Sequence, residues 1–193
     1  MKKFLLNYSD SKFKNAQKYN SITGLEIGGF DSVIECSPSV IDDEFKRLHS
    51  GILSQPRGGG YWLWKPYIIL KNLMSMRDGD VLFYCDSGSH FISSIDEILN
   101  TISFDKQPII PFGVDPHLEK TFTKMDVFVF NECEDNKSIT DTPQVCASFQ
   151  LIKKNQDAVD FYNEVLYQCC NPSLITDMEN KFGKNNLRWF VDH

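Results

Sequence analysis

The sequence predicts an α/β fold, a single domain over residues 1–193 with a mixed, mainly parallel central sheet flanked by helices. Short apolar runs alternate with helical patterns through the first half of the chain, as in layered folds built on a parallel sheet. A length of 193 residues suits one domain with a sizeable core. Apolar residues at 41% and charged residues at 24% are those of an ordinary globular protein.

Strands and helices are expected to alternate as far as Met76. Ser9 follows the first apolar run and suits an N-cap, with Phe13 and Ala16 beginning a weak apolar stripe. Pro66 suits the first turn of a later helix, where its missing N–H has no intrahelical partner to lose. The predicted elements are a strand Lys3–Tyr8, a helix from Ser9 through Asn20, a strand Ser32–Cys36, a helix Ile41–Leu53 and a helix Pro66–Met76.

The second half is more mixed. Val81–Cys85 is the clearest buried strand, because five consecutive apolar residues follow a turn. Asn155–Cys170 has the apolar spacing of an amphipathic helix. The remaining predicted elements are a helix Ser94–Ile102, strands Pro108–Phe112, Asp126–Phe130 and Ala147–Ile152, and a long surface loop Asn131–Asp141.

Charge and cysteine usage exclude several classes of protein. The 20 basic and 26 acidic residues give a net charge of −6 without a run of like charges, so no nucleic-acid partner is indicated. The six cysteines show no CxxC spacing, which favours a reduced intracellular protein. The apolar stretch near the start is too short for a signal peptide, and no segment reaches transmembrane length. We therefore expect a cytoplasmic protein.

The segment "RGGGYWLWKPY", Arg57 to Tyr67, has the composition of a phosphate- or sugar-binding loop. Lys65 stands at the entrance of a predicted helix, where unpaired N–H groups already favour an anion. Arg57 adds a second cation, and the glycines, Gly60 among them, allow close approach of the backbone to a ligand. Trp62, Trp64 or Tyr61 suits stacking on a base or sugar ring. The alternative is a loop whose aromatic side chains fill the core and whose cations are solvated.

A carboxylate follows the clearest strand. Ligands of open α/β sheets bind beyond the carboxyl ends of the strands, where Asp86, Ser87 and Gly88 stand. One carboxylate can hold a magnesium or manganese ion together with the phosphate oxygens of a nucleotide. The alternative is that Asp86 caps the following turn.

The stretches "GGGYWLWKPYIILKNL" and "DGDVLFYCDSG" resemble a family of small glycosyltransferases of GT-A type, a Rossmann-like fold, found in bacterial polysaccharide gene clusters and large DNA viruses. "LEIGGFDSVIE", "HLEKTFTKMDVFVF", "DTPQVCASFQLIKK" and "LITDM" agree in order, so the resemblance covers nearly the whole chain. The family pattern continues past a C-terminal histidine with a basic motif that contains Asp and Gln, so that element is either absent here or cut off after His193.

The resemblance implies transfer of a sugar from a UDP- or GDP-type donor to a glycan or another hydroxyl acceptor. It implies donor binding by Tyr8, which lies where such folds hold the nucleobase, and by Arg57, Gly60, Trp64, Lys65 and the Asp86–Gly88 stretch. It also implies a divalent metal, Mn²⁺ or Mg²⁺, at Asp86 and His193. Gly88 stands where the family's Asp-x-Asp motif has its second acid, which puts metal dependence in question.

Breaking the bond to the diphosphate requires fixed positive charge at the leaving phosphate, a role assigned to Lys65. If the reaction inverts configuration, a carboxylate must deprotonate the acceptor. Asp177 is the first candidate for that base, with Glu119 and Asp126 behind it. Two alternatives remain open: a non-catalytic module that binds carbohydrate or nucleotide sugar, and a hydrolase of the nucleotide sugar.

Overall fold

A mixed sheet of five strands forms the centre of the molecule in this computed structural model, which describes residues 1–184. The strands are β1 (Lys3–Tyr8), β2 (Ser32–Cys36), β3 (Val81–Cys85), β4 (Ile109–Ile110), β5 (Gly113–Leu118), β6 (Pro143–Val145) and β7 (Phe149–Lys153). The order in the main sheet is β2-β1-β3-β7-β4, and β5 and β6 form a separate antiparallel pair.

The main sheet confirms the predicted mixed, mainly parallel architecture. Strand β1 pairs in parallel with β2 and β3, whereas β7 runs antiparallel to both β3 and β4. Within the described residues, four of its five strands therefore point the same way. The carboxyl ends of β1 and β3 lie side by side, with Leu6 opposite Tyr84, so the loops that follow them meet at one edge.

Helices cover both faces of the sheet. They are α1 (Lys14–Glu26), α2 (Asp43–Leu48), α3 (Ser50–Leu53), α4 (Gly58–Tyr61), α5 (Trp64–Ser75), α6 (Asp96–Leu99), α7 (Glu119–Phe122), α8 (Met125–Phe130), α9 (Lys137–Thr140), α10 (Gln156–Cys169) and α11 (Pro172–Ile175). A short 3-10 turn spans Pro38–Val40. No helix in residues 1–184 combines the length and the apolar character needed to cross a bilayer.

The core lies in two layers because successive side chains of a strand point to opposite faces. Leu82 and Tyr84 of β3 pack with Ile68 of α5 and Tyr162 of α10 on one face. The alternate residues of β3 pack on the other face against a cluster that includes Phe30 and Ile95. All five residues of β3 are buried, which explains why this strand has an unbroken apolar sequence.

Several of the predicted elements are wrong in type or extent, among them the loop Asn131–Asp141, which contains the single helical turn α9. Residues Asp126–Phe130 belong to helix α8, not to a strand, and a short apolar run does not distinguish the two. The helix predicted for Ile41–Leu53 is two short helices, broken at His49 where φ is −111°. The predicted Ser94–Ile102 helix is only the single turn α6.

Helix α1 turns its polar side inward, against the predicted apolar stripe. It begins after Phe13 rather than Ser9. Phe13 and Tyr19 are each 56% exposed, whereas Gln17 and Asn20 are buried. The inward side chains meet the carboxyl ends of the strands, where backbone groups that have left the sheet need hydrogen-bond partners.

Candidate functional site

A cleft of about 450 Å³ opens at the carboxyl ends of β1 and β3. Its walls come from the loop after β1, the glycine-rich segment and the loop after β3. The lining residues are Tyr8, Ser9, Asp10, Lys12, Phe13, Pro56, Gly58, Gly59, Trp62, Trp64, Asp86, Ser87 and Gly88. This is the edge where the sequence predicted a ligand site.

A slightly larger depression, of about 510 Å³, lies between α2, α8 and α10. It is lined by Phe45, His49, Phe130, Asn163, Leu166, Tyr167, Gln168, Cys170 and Asn171, and so by no carboxylate or basic side chain other than the imidazole of His49. The cleft at the strand ends, in contrast, combines aromatic rings with charged groups. Its composition is that of a site for a polar ligand with a planar ring.

Lys65 and Asp86 meet behind the floor of this cleft. The Lys65 ammonium lies 3.0 Å from Oδ1 of Asp86 and donates to the Ala147 carbonyl at 2.9 Å. The Tyr84 hydroxyl donates to the same Oδ1, and the Asp86 amide donates to the Ser148 carbonyl at 2.9 Å. The Asp86 carboxylate is therefore held in one orientation from several sides.

The two partners differ in exposure. The Lys65 side chain is only 10% exposed, whereas that of Asp86 is 39% exposed and reaches the cleft. No described residue donates a hydrogen bond to Oδ2 of Asp86, so that oxygen can accept from a ligand hydroxyl or bind a cation. Burial and the neighbouring carboxylate raise the pKa of Tyr84 well above 10.0, so its phenol remains a donor.

An aromatic pair forms one wall. The rings of Tyr8 and Trp64 stack with centroids 3.8 Å apart and planes 13° apart, and the Trp64 indole donates to the Gly58 carbonyl at 2.9 Å. Ser87 donates to the Tyr8 carbonyl at 2.6 Å, which ties the loop after β3 to the loop after β1. Burial raises the pKa of Tyr8 to about 12, with Asp10 and Cys36 adding to the shift, so its hydroxyl stays protonated near neutral pH.

The glycine-rich segment, which includes α4, forms a tight left-handed turn and not a right-handed helix. Five consecutive residues, 58 to 62, have positive φ, and the last two are Tyr61 (51°) and Trp62 (58°). Gly58 and Gly59 line the cleft, whereas Gly60 faces inward, where an added Cβ would lie 2.7 Å from the Cα of Leu53. The predicted contact of Gly60 with a ligand stays a prediction, and its packing against Leu53 already requires glycine.

Arg57 and Asp177 lie in a second depression, of about 270 Å³, beside the cleft. Arg57 donates to Oδ1 of Asp177 at 2.6 Å, and the Tyr61 hydroxyl donates to Oδ2 at 2.9 Å. Trp62 lines both this depression and the cleft at the strand ends. The donor-binding role of Arg57 and the base role of Asp177 stay predictions, and the structure places both side chains outside the walls of the main cleft.

The other two candidate bases have structural partners. Asp126 is fully buried and accepts hydrogen bonds from the backbone amides of Lys181 and Phe182. Glu119 accepts from the Thr123 hydroxyl at 2.6 Å and from the Val145 amide at 2.6 Å. Both carboxylates therefore stabilise local backbone, at a distance from the cleft lining.

Lys12, Asp10 and Phe13 line the cleft and were not predicted from the sequence. The strand-end rule that drew attention to Asp86 applies equally to Asp10, which follows β1 by two residues. Lys12 is exposed and stands two residues before α1, whose positive end adds to its charge. Among the described lining residues, Lys12 is the only lysine.

A buried polar network holds the loops around the cleft. Gln17 donates to the Asn7 side chain and to the Cys36 carbonyl, both at 2.9 Å. Asn7 donates to Asn20 at 2.8 Å, and Asn20 donates to the Ser89 carbonyl at 3.0 Å. Helix α1 thus ties together the chain segments that leave β1, β2 and β3.

Metal binding stays a prediction. No cluster of three or more histidine, cysteine, aspartate or glutamate side chains suited to a metal ion occurs in residues 1–184. His193, one of the two predicted ligands, lies outside the described residues. Asp86 fits a hard cation through its free oxygen, provided that phosphate oxygens supply further ligands.

Comparisons with known proteins give one structural neighbour and add no detail of the site. No protein-family model matches the chain, and no curated protein matches it. Among solved structures, the chain is similar to the galactosyltransferase LgtC in complex with donor and acceptor sugar analogs, at 11% identity and a TM-score of 0.39. The match covers 84% of this chain and 66% of that chain, so this chain spans just under two thirds of that protein's length.

Proposed function

We propose that the chain binds a nucleoside diphosphate sugar in the cleft at the ends of β1 and β3 and transfers the sugar to a hydroxyl acceptor. The observation that carries this proposal is the Asp86 carboxylate. It is locked on one oxygen by Lys65 and Tyr84, and it offers the other oxygen to the cleft. Such a preoriented acceptor suits the hydroxyls of a ribose or the metal of a diphosphate.

The cleft provides separate surfaces for the parts of such a donor. The stacked rings of Tyr8 and Trp64 and the ring of Phe13 line the cleft and give apolar surface for a base or a sugar. Lys12 lines the cleft and α1 begins two residues later, so a diphosphate bound beside Lys12 would find opposite charge.

Lys65 serves the leaving phosphate from behind Asp86. Its ammonium bonds Asp86 and Ala147, lies 4.9 Å from the centroid of the Tyr84 ring and does not line the cleft. It therefore acts on a phosphate at Asp86 as a fixed positive charge nearby, which opposes the negative charge that grows as the anomeric bond breaks. A bound Mn²⁺ or Mg²⁺ would add Lewis acidity at the same phosphate, with Asp86 as its protein ligand.

Thermal-shift measurements with UDP, GDP and a panel of their sugar conjugates, with and without Mn²⁺, test donor binding. Lys12→Gln should weaken the stabilisation by the nucleotide, because it removes the ammonium that lines the cleft. Lys14→Gln is the matched control, since Lys14 is also exposed and lies two residues further along but outside the lining. Stabilisation by none of these compounds would refute the proposal.

Gly88→Asp tests the metal. Apart from Gly88 and its two chain neighbours, no described residue has an atom within 4 Å of a Cβ added at Gly88, so a side chain there enters open space. We expect the variant to bind nucleotide more tightly in Mn²⁺, while Gly88→Ala behaves like the unmodified chain. An equal response of the two variants would contradict a metal at Asp86.

The rate of nucleotide release distinguishes sugar transfer from hydrolysis and from binding without reaction. A transferase releases the nucleoside diphosphate faster when an acceptor is present. A hydrolase releases it at the same rate without acceptor, and a binding module does not release it at all.

A further inference from the structure

The left-handed turn at residues 58–62 is strained, and the carboxylate of Asp177 accepts hydrogen bonds from the residues on either side of its glycines. Glycines at 58 to 60 adopt positive φ at little cost, but Tyr61 and Trp62 also lie in the left-handed region. Non-glycine residues occupy that region singly and seldom in sequence, because Cβ crowds the following carbonyl. Such a conformation persists where surrounding contacts fix it.

Asp177 makes contacts with both ends of this turn. Its Oδ1 accepts from Arg57, the residue before the first glycine, and its Oδ2 accepts from Tyr61, the residue after the last. The hydrogen bond to Asp177 raises the pKa of Tyr61, so the phenol keeps the proton that it donates. The Arg57 guanidinium carbon also lies 6.0 Å from the centroid of the Trp62 ring.

Asp177 is itself held in place by a buried lysine. Lys124 is 5% exposed, and its ammonium donates to the carbonyls of Ser173, Thr176 and Met178 at 2.7, 3.3 and 2.6 Å. Two of these carbonyls flank Asp177 in sequence. The backbone that presents the carboxylate is therefore fixed from the side of α8, independently of the glycine-rich segment.

We propose that Asp177 is a positioning residue, which holds the left-handed turn through Arg57 and Tyr61 and so sets the place of Trp62 in the wall of the cleft. The proposal rests on the proposed function for the identity of the ligand, a nucleoside diphosphate. Its geometry differs from that of a general base, because Asp177, Arg57 and Tyr61 do not line the cleft whereas Gly58, Gly59 and Trp62 do. Asp177 thus acts on the ligand through the turn.

The test measures the turn and the ligand separately. Amide hydrogen exchange reports the turn, through the backbone bonds of Tyr61 to Arg57 (2.7 Å) and of Leu63 to Gly60 (3.0 Å). Titration with UDP and GDP in the presence of Mn²⁺ reports the affinity. For Asp177→Ala we expect both exchange at residues 60–63 about tenfold faster and affinity about tenfold weaker, as for loss of a partly exposed charged contact.

Two further variants make the test specific. Tyr61→Phe should also weaken nucleotide binding, although Tyr61 does not line the cleft, and Asp177→Asn should lose less than Asp177→Ala because it still accepts from the Tyr61 hydroxyl. The control is Asp141→Ala, which removes an ion pair of the same 2.6 Å length and similar exposure, with Lys120, away from the cleft.

The results of these measurements support or overturn the positioning role of Asp177 as follows. Faster exchange in Asp177→Ala and Tyr61→Phe, but not in Asp141→Ala, supports the positioning role. Unchanged exchange and affinity in Asp177→Ala overturn it, and if sugar transfer is lost at the same time, Asp177 is the base instead. If the unmodified chain binds neither UDP nor GDP, the proposed function fails for these nucleotides, and the exchange experiment still decides whether Asp177 holds the turn.

Discussion

Replacing Lys65 by methionine tests whether the buried ion pair behind the cleft supports the fold as well as the site. Methionine keeps most of the apolar stem but removes the ammonium that bonds Asp86 and Ala147. Loss of one partner of a fully buried pair costs about 3–5 kcal/mol. Asp86 is 39% exposed and retains the Tyr84 hydroxyl, so we expect about 2–3 kcal/mol here.

The chain offers a closely matched control on the same helix. Lys71 also donates to a carboxylate, Asp42 at 2.8 Å, and to a carbonyl, that of Val40 at 3.0 Å. Its side chain is 45% exposed, against 10% for Lys65. The two substitutions therefore remove the same kinds of bond and differ in burial.

Thermal unfolding without ligand measures the loss of stability in both variants. At about 2–4 °C per kcal/mol for a domain of this size, Lys65→Met should lower Tm by about 4–12 °C. Lys71→Met should lower it by less than about 3 °C, since exposed ion pairs contribute little. Equal shifts in the two variants would refute the argument that burial makes the Lys65–Asp86 pair important.

Two further predictions concern stability alone. Gly60→Ala should lower Tm strongly, because its φ is 98° and the new Cβ would lie 2.7 Å from a backbone Cα. Gly88→Ala is the control, and it should change Tm little because the space around Gly88 is open. A larger loss of Tm in Gly88→Ala than in Gly60→Ala would contradict the described turn. The hydrogen bond from Lys3 holds the pKa of Asp96 below its ordinary 3.8, so this contribution to stability is present above about pH 4 and lost as the pH falls through the folded-state pKa. Asp96→Asn should therefore lower the urea midpoint near pH 7 but leave it unchanged near pH 2, and an equal loss at both values would show that the carboxylate charge is not responsible.

The strands at the centre of the sheet could be predicted because their sequences show the environment directly. Val81–Cys85 is buried on both faces and has no polar residue, and Lys3–Tyr8 and Ser32–Cys36 are found at the predicted bounds. The rule that ligands bind beyond strand ends then pointed to Asp86, and the structure brings Lys65 to within 3.0 Å of it.

Other features of the structure could not be predicted from local sequence patterns. The apolar run Asp126–Phe130 has too few residues for its period to separate strand from helix. The hydrogen bond between Arg57 and Asp177 joins residues 120 positions apart, and neither has a local signal for the other. Helix α1 departs from the expectation that an apolar face turns inward, because the space beneath it is filled by strand ends and loop carbonyls.

The inward polar face of α1 has a consequence for how the sequence can vary. Asn7, Gln17 and Asn20 use one another as donors and acceptors, so replacing any one of them by an apolar residue leaves a buried partner without its bond. Related chains that lack one of the three amides are therefore expected to have replaced its partners too. Substitution of one of these three amides alone should therefore be rare, whereas substitution of all three together leaves no amide of the trio without its partner.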